Sequence, residues 1–414
     1  MGKISYRIDI PFLKRCFSAL IFIFLSAYIF CWPVINYIPS LTTLTNVFEY
    51  GFVALFFCGL PFYLTRIYRF RSIFIICFLF VIYILFVEFI TLDFTKMTFN
   101  EWIIRIYPFL FLPSLVCVID SRKKFITCLL IFLTSIYGMF AYSFFITPFA
   151  KIVQAFTGGG YRLGDAENQP NAYGNFCVIA MIISIFLCLI FRKKTILTLS
   201  VLPAAMSFGS QSKKANLCVF LLLALIVYIF AVNIQKKSFR ILFYGFLASA
   251  VFIVGFLLFK FNVLNRLLIL LLSVGSDASR PAMFQLAWKD SGAAFFFGHG
   301  STYFRNFFFI NSGLSYVFHS TLGDYFYSFG FLGLCLWLLI LAFCFLPNKF
   351  SKHKSFVIVA LICQIIFDAA GRVDLFRPQI FLICSFLLIN NLPYCYPIRM
   401  SHSYFCLSKG FFRI

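Results

Sequence analysis

Residues 169–194 read QPNAYGNFCVIAMIISIFLCLIFRKK. A Gln-Pro-Asn start, an apolar run and an Arg192-Lys193-Lys194 end follow one another without interruption. About 20 apolar residues are needed for a helix to cross the hydrocarbon core, and 172–191 supplies them. Pro170 suits the first turn, where the N–H it lacks has no partner to lose. Asn168 or Asn171 suits the helix cap. Basic residues collect on the cytoplasmic side of membrane helices. Arg192-Lys193-Lys194 therefore marks an inner end and Gln169 an outer one.

The same pattern recurs in both directions along the 414 residues. Charged residues are 12% of the chain, about half the share of a soluble domain. Twelve apolar segments can be read, at 16–36, 46–65, 73–92, 103–119, 124–147, 172–191, 195–210, 215–234, 241–259, 325–346, 355–371 and 377–392. The expected fold class is an all-α polytopic membrane protein of about twelve transmembrane helices, forming a single integral membrane domain over 1–414. The first segment is too long, and wrongly flanked, for a cleaved signal peptide.

Counting Lys and Arg sets the orientation. With the N-terminus in the cytoplasm, 22 of the 35 fall in seven short inner segments, among them Arg66, Arg69, Arg71 and Arg122, Lys123, Lys124. Both termini are then cytoplasmic. Two long polar stretches, Lys151–Asn171 and Lys260 to Asp324, are then outside. They define an outer loop at 148–171 and a larger one at 260–324, the latter between the ninth and tenth spans and carrying short helices. On a soluble protein a net charge of +22 would suggest nucleic acid. Distributed along membrane edges it sets topology instead, and no nucleic-acid partner is expected. Of the 15 Cys, none lies in either outer stretch, so no disulfide framework is expected.

Outer Lys and Arg run against the charge rule and call for a reason. They include Lys151, Arg162, Lys213, Lys214 and Arg280. Any single one is explained by solvation, or by snorkelling of its stem along lipid. As a set converging from several outer connections they read as a basic cavity for an anionic substrate. Arg280, in Ser279-Arg280-Pro281, precedes a short amphipathic helix reaching Trp288. Its planar fork can grip a phosphate with two hydrogen bonds. His319 follows the outer loop and precedes the tenth span, with Asp324 close by in sequence. Imidazole takes a proton near neutral pH; a structural helix-start histidine is the plainer reading. His299, in Gly298-His299-Gly300, reads as incidental to a turn. Glu88, Asp368 and Arg105 are the main ionisable residues in or near spans, and structural pairing among them is their plain reading. No Asp-x-Asp pair, no Gly-x-x-x-x-Gly-Lys loop and no His/Cys ligand spacing appears. No metal or cofactor is expected. The pattern points away from a nucleotide-sugar enzyme and an ATPase, toward metal-free chemistry on an outer-face lipid-linked donor.

An ordered set of motifs carries a resemblance. Arg162, Gly164 and Pro170-Asn171-Ala172-Tyr173-Gly174 come first, then Gln211-Ser212-Lys213-Lys214-Ala215. Arg280 with Trp288 follows, then Phe297-Gly298-His299-Gly300, and last His319-Ser320 with Gly330-Phe331-Leu332-Gly333. Across about 155–335 the chain resembles the bacterial O-antigen polymerase and O-antigen ligase superfamily, membrane glycosyltransferases of GT-C-like fold. Lys213 stands where the family has an arginine.

That resemblance implies a glycan on undecaprenyl diphosphate as donor, taken at the periplasmic face of the bacterial inner membrane. An acceptor hydroxyl displaces the lipid diphosphate from the anomeric carbon. Arg162 and Arg280, with Lys213 and Lys214, are implied as the diphosphate site. His319 is implied as the residue positioning the acceptor or removing its proton, with Asp324 or Glu167 as the alternative base. Polymerase is the leading expectation, ligation to lipid A–core the alternative, and a lipid-linked glycan flippase the rival from another class. Implied partners are the lipid-linked oligosaccharide, membrane lipid and a chain-length regulator protein.

Overall fold

The computed structural model describes residues 10–34, 41–91, 99–157, 160–164, 170–232, 288, 292, 294–301, 320–345, 354–370 and 377–391. Among the described residues the chain is helical, with no strand. The helices are α1 (Ile10–Val34), α2 (Thr42–Cys58), α3 (Leu64–Arg69), α4 (Arg71–Ile90), α5 (Phe99–Val118), α6 (Arg122–Ile146) and α7 (Phe149–Thr157). After them come α8 (Pro170–Phe191), α9 (Val201–Ser210), α10 (Lys213–Val232), α11 (Thr321–Phe345), α12 (Lys354–Ala370) and α13 (Arg377–Asn391).

The expectation of an all-α membrane protein holds, and the span count is corrected. Five described helices are long and apolar enough to cross a membrane: Pro11–Val34, Arg71–Ile90, Arg122–Ile146, Asn171–Phe191 and Thr321–Phe345. The count reaches six if Thr42–Cys58 and Leu60–Arg69, bent by 76° at Gly59, form one span. Among the described residues twelve is not reached, and not every apolar segment forms one continuous α-helix. The segment at 195–210 folds as a seven-residue 3₁₀ stretch, Lys194–Ser200, followed by the ten residues of α9. Of those at 355–371 and 377–392, the described residues form helices Lys354–Ala370 and Arg377–Asn391. Segment 241–259 lies outside the described residues, as do 165–169 and most of 260–324. In the stretch 148–171, expected as an outer loop, Phe149–Thr157 forms α7.

The quoted run is the centre of the bundle. The apolar window of α8 is 89% buried, against 39–50% for the other four long helices. Small residues make this possible. Cys177, Ala180, Ser184 and Cys188 recur at helical spacing, all buried, and let neighbouring helices approach. Ser184 Oγ donates to Ala180 O at 2.8 Å, so its hydroxyl needs no partner from outside the helix. α8 packs against α6, α9 and α10.

One end of the bundle is tied by basic side chains. Arg66 Nη2 donates to Val116 O and Ile119 O at 2.7 and 2.8 Å, at the C-terminus of α5. Arg122 Nη2 donates to Ile190 O at 3.0 Å, at the C-terminus of α8. Cations there satisfy orphan carbonyls and complement the helix dipole. These residues belong to the segments that sequence marks as inner, and the structure gathers them at one end.

α11 is broken at Gly330, which has φ 67° and ψ −170°. That region is essentially closed to side chains. In an unbroken helix Phe331 and Leu332 N–H would donate to Tyr327 and Ser328 C=O. Here residues 294–301 take over all four groups. His299 N donates to Tyr327 O (3.1 Å) and Gly300 N to Ser328 O (2.9 Å). In return Phe331 N donates to Phe295 O (2.8 Å) and Leu332 N to Phe296 O (3.3 Å). Backbone polar groups with no water nearby must be paired inside the protein, and this exchange pairs them. A Cβ at Gly330 would strike Phe296 O, and one at Gly298 would strike Ser328 O. Gly330→Ala is therefore expected to cost about 1–3 kcal/mol in backbone strain, with a similar term for the overlap. Solubilised Gly330→Ala protein should run mainly as aggregate on size exclusion. Gly138→Ala, where an added Cβ meets open space, should elute as the wild type.

Candidate functional site

The first cluster is built on the turn between α9 and α10. Gln211 ends α9 in the left-handed conformation, φ 53°. Its Nε2 donates to Ala155 O at 3.0 Å and Tyr161 O at 3.1 Å, holding α7 and the segment after it. Leu163 N donates to Gly209 O at 2.9 Å, and the Leu163 side chain is buried. Arg162 is thereby clamped on both sides. Its Nε donates to Ser210 O at 3.0 Å, which fixes the plane of the guanidinium. Nη2 lies 3.5 Å from Asn171 Oδ1, long for a hydrogen bond. Lys213 and Lys214 open α10 two residues beyond Gln211. Lys214 Nζ sits 5.7 Å from the ring centre of Phe367, and Lys151 Nζ 5.4 Å from that of Tyr161.

The second cluster surrounds the start and the break of α11. Ser320 Oγ accepts from Gly323 N (3.1 Å), as an N-cap does, and donates to Asp368 O (3.1 Å). Asp324, 3% exposed, forms a buried ion pair with Arg105. Its Oδ1 also accepts from Arg105 Nη2 (3.4 Å) and Ser328 Oγ (3.2 Å). The Arg105 guanidinium lies 5.8 Å from the Phe329 ring centre. The His299 and Tyr327 rings are 4.8 Å apart. Glu88, fully buried, accepts from Ser301 N (3.0 Å) and from the Ser301 hydroxyl. Asp368 accepts from Trp337 Nε1 (2.9 Å) and Gln364 Nε2 (3.0 Å). The expected pairing among Glu88, Asp368 and Arg105 is corrected in its partners. Each finds a different group: Asp324 for Arg105, Ser301 for Glu88, and Trp337 with Gln364 for Asp368.

The two clusters share one end of the bundle. Lys214 touches Phe367, the neighbour of Asp368, and Ser320 bonds the Asp368 carbonyl. This end is opposite the one tied by Arg66 and Arg122. Of the sequence-derived site residues, Arg162, Lys213 and Lys214 come together around one turn, and Asp324 stands at the second cluster. Arg280, His319 and Glu167 lie outside the described residues. His319 directly precedes Ser320, the cap of α11. Sequence reading gave no role of its own to Gln211, passed over Ser301, and did not pair Arg105 with Asp324. A buried charge inside an apolar helix was the available signal for Arg105 and Glu88. Among the described residues no group of three or more His, Cys, Asp or Glu side chains is arranged to hold a metal.

Chemically, the first cluster puts a guanidinium held by Ser210 on the same turn as the two lysines that open α10, suited to an anionic group at the end of the bundle. The second offers one buried ion pair and two buried carboxylates met by hydrogen bonds, suited to fixing geometry. The described helices define an all-α membrane protein. Comparison with protein-family models and with curated proteins finds no match to this chain.

Proposed function

We propose that the protein is a membrane glycosyltransferase that uses a polyprenyl-diphosphate-linked glycan as donor, in the manner of an O-antigen polymerase. The observation that carries this reading is Arg162, clamped by Ser210 and the Gln211 turn beside Lys213 and Lys214, at the end opposite the basic inner ties. Lys and Arg are disfavoured on the outer side of a membrane, and a diphosphate explains their convergence there.

The reaction is a displacement. An acceptor hydroxyl forms a bond to the anomeric carbon as the bond to the diphosphate oxygen breaks. Negative charge grows on the diphosphate and meets Arg162, Lys213, Lys214 and, from the sequence, Arg280. Fixed donors aimed at such charge are worth several kcal/mol in many enzymes. The hydroxyl proton passes to His319, with Glu167 as the alternative. Asp324, engaged by Arg105 and Ser328, is assigned to hold Arg105. A single displacement inverts the sugar configuration.

One observation favours a second reading. Transporters are often built on broken helices with ionisable groups within the membrane, and α11 is broken beside the Arg105–Asp324 pair. A lipid-linked glycan flippase is therefore the rival. The deciding experiment is a gel of surface lipopolysaccharide from a strain lacking the gene. Core bearing a single repeat, with no ladder, identifies the polymerase. Bare core with lipid-linked polymer accumulating inside identifies the ligase. Bare core with single lipid-linked repeats held on the cytoplasmic side identifies the flippase.

A further inference from the structure

α4 reaches across to the break in α11 with two side chains. Tyr83 Oη donates to Phe329 O at 2.7 Å, on one side of the splice, and lies 3.2 Å from Phe296 O on the other. One and a half turns further along α4, Glu88 accepts both the backbone N–H and the hydroxyl of Ser301. Ser301 directly follows Gly300, whose N–H caps Ser328 O in the broken helix. Residues 294–301 are thus fastened at two points to α4 and at four backbone groups to α11.

These contacts have unequal roles. The four backbone bonds are two reciprocal pairs, 299–300 onto 327–328 and 331–332 onto 295–296, so they form together. Tyr83 bridges the two backbones but can do so only once they are in place. Glu88 acts on the end of the segment. A carboxylate buried in an apolar helix is costly unless its charge is met by hydrogen bonds, and Ser301 supplies two of them. Docking of the segment therefore contributes to meeting the charge of Glu88. Asp324 lies six residues before Gly330 and Ser320 ten before it, so the break also sets where the start of α11 stands.

We propose that residues 294–301 are a backbone latch that completes the broken α11, and that Glu88, through Ser301, is the positioning residue that holds it closed. Glu88 touches no substrate in this scheme. It acts by fixing the α11 start, with Ser320 and Asp324, against the rest of the site. The effect on glycan synthesis rests on the function proposed above; the latch itself does not.

Hydrogen exchange read by mass spectrometry on the purified full-length protein in lipid nanodiscs tests the latch directly. His299, Gly300, Ser301, Phe331 and Leu332 N–H are all engaged at the splice. Glu88→Ala is expected to speed exchange of peptides covering 295–301 and 327–333 at least tenfold, with peptides from α8 unchanged. Glu88→Gln keeps an acceptor oxygen and should stay within about threefold of wild type, as should Ser301→Ala, which keeps its N–H. If Glu88→Ala fails to fold, Tyr83→Phe combined with Ser301→Ala provides the weakened latch, expected at about tenfold. Unchanged exchange in every variant overturns the latch. The glycan ladder is read from the same strains beside Arg162→Ala. Loss of ladder in Glu88→Ala, rescued in Glu88→Gln, supports the positioning role. Faster exchange with a normal ladder overturns that role. A normal ladder in Arg162→Ala overturns the proposed enzyme while leaving the exchange result to decide the latch.

Discussion

Replacing Arg162 with alanine is expected to remove the surface-glycan ladder while the protein stays at its normal level in the membrane. Both halves of that result follow from the geometry. Arg162 is half-buried, on the short segment between α7 and α8, so truncation leaves no charge stranded in the core. The local cost is the Ser210 carbonyl losing a partner, about 1 kcal/mol. The catalytic cost is larger. A fixed donor aimed at charge growing in a transition state is worth about 10²–10³ in rate. In proteoliposomes supplied with lipid-linked repeat units, turnover should fall by that factor. Arg162→Lys should fall nearly as far. An ammonium cannot donate to Ser210 O and present a planar fork at the same time. Wild-type turnover in Arg162→Ala, with the protein present in normal amount, would remove the diphosphate role and shift the balance to transport.

How much of this was legible in sequence varies by element. The 172–191 run was readable in full, because an apolar core with a Pro-Asn start and an Arg-Lys-Lys end carries its own boundaries, and α8 occupies it. Its position as the buried centre was less open, since an apolar helix facing lipid and one facing protein have the same composition. The stripe Cys177, Ala180, Ser184, Cys188 was the available clue. Among the described residues the span count departed from expectation where hydropathy is blind to helix geometry: neither the 3₁₀ stretch before α9 nor the 76° bend at Gly59 leaves a mark in an apolar segment. The Lys213–Lys214 turn was visible as charge at a predicted outer turn. Gln211, which builds that turn, was not, because a non-glycine residue in the left-handed region leaves no compositional trace. The Gly298 and Gly330 motifs were read separately, 32 positions apart in the chain. Only their mutual approach shows that each glycine makes room for the other segment's carbonyl. Arg105 was read as unusual, but its partner Asp324 is 219 residues away, and no local pattern encodes that.

The Arg105–Asp324 pair carries the largest expected effect on stability. Both side chains are under a tenth exposed. Breaking a buried pair on one side leaves an uncompensated charge and costs about 3–5 kcal/mol, as much as half the stability of many domains. Asp324→Ala should therefore leave little folded protein on fluorescence-detected size exclusion. Arg105→Ala should do the same, with the Asp324 carboxylate now deprived of its cation. Removing both charges separates structure from chemistry. Replacement of a buried pair by apolar residues of similar volume is often neutral or stabilising, so Arg105→Met with Asp324→Leu should return the protein to near its normal level. The ladder should return with it, because the pair's work is to seat the start of α11 against α5. Recovery of the protein without the ladder would place the pair in the chemistry, with Asp324 again a candidate for taking the acceptor proton. Failure of the double variant to recover would mean that Ser328 and the break at Gly330 depend on the charge itself, and not only on the volume that fills the space between the two helices.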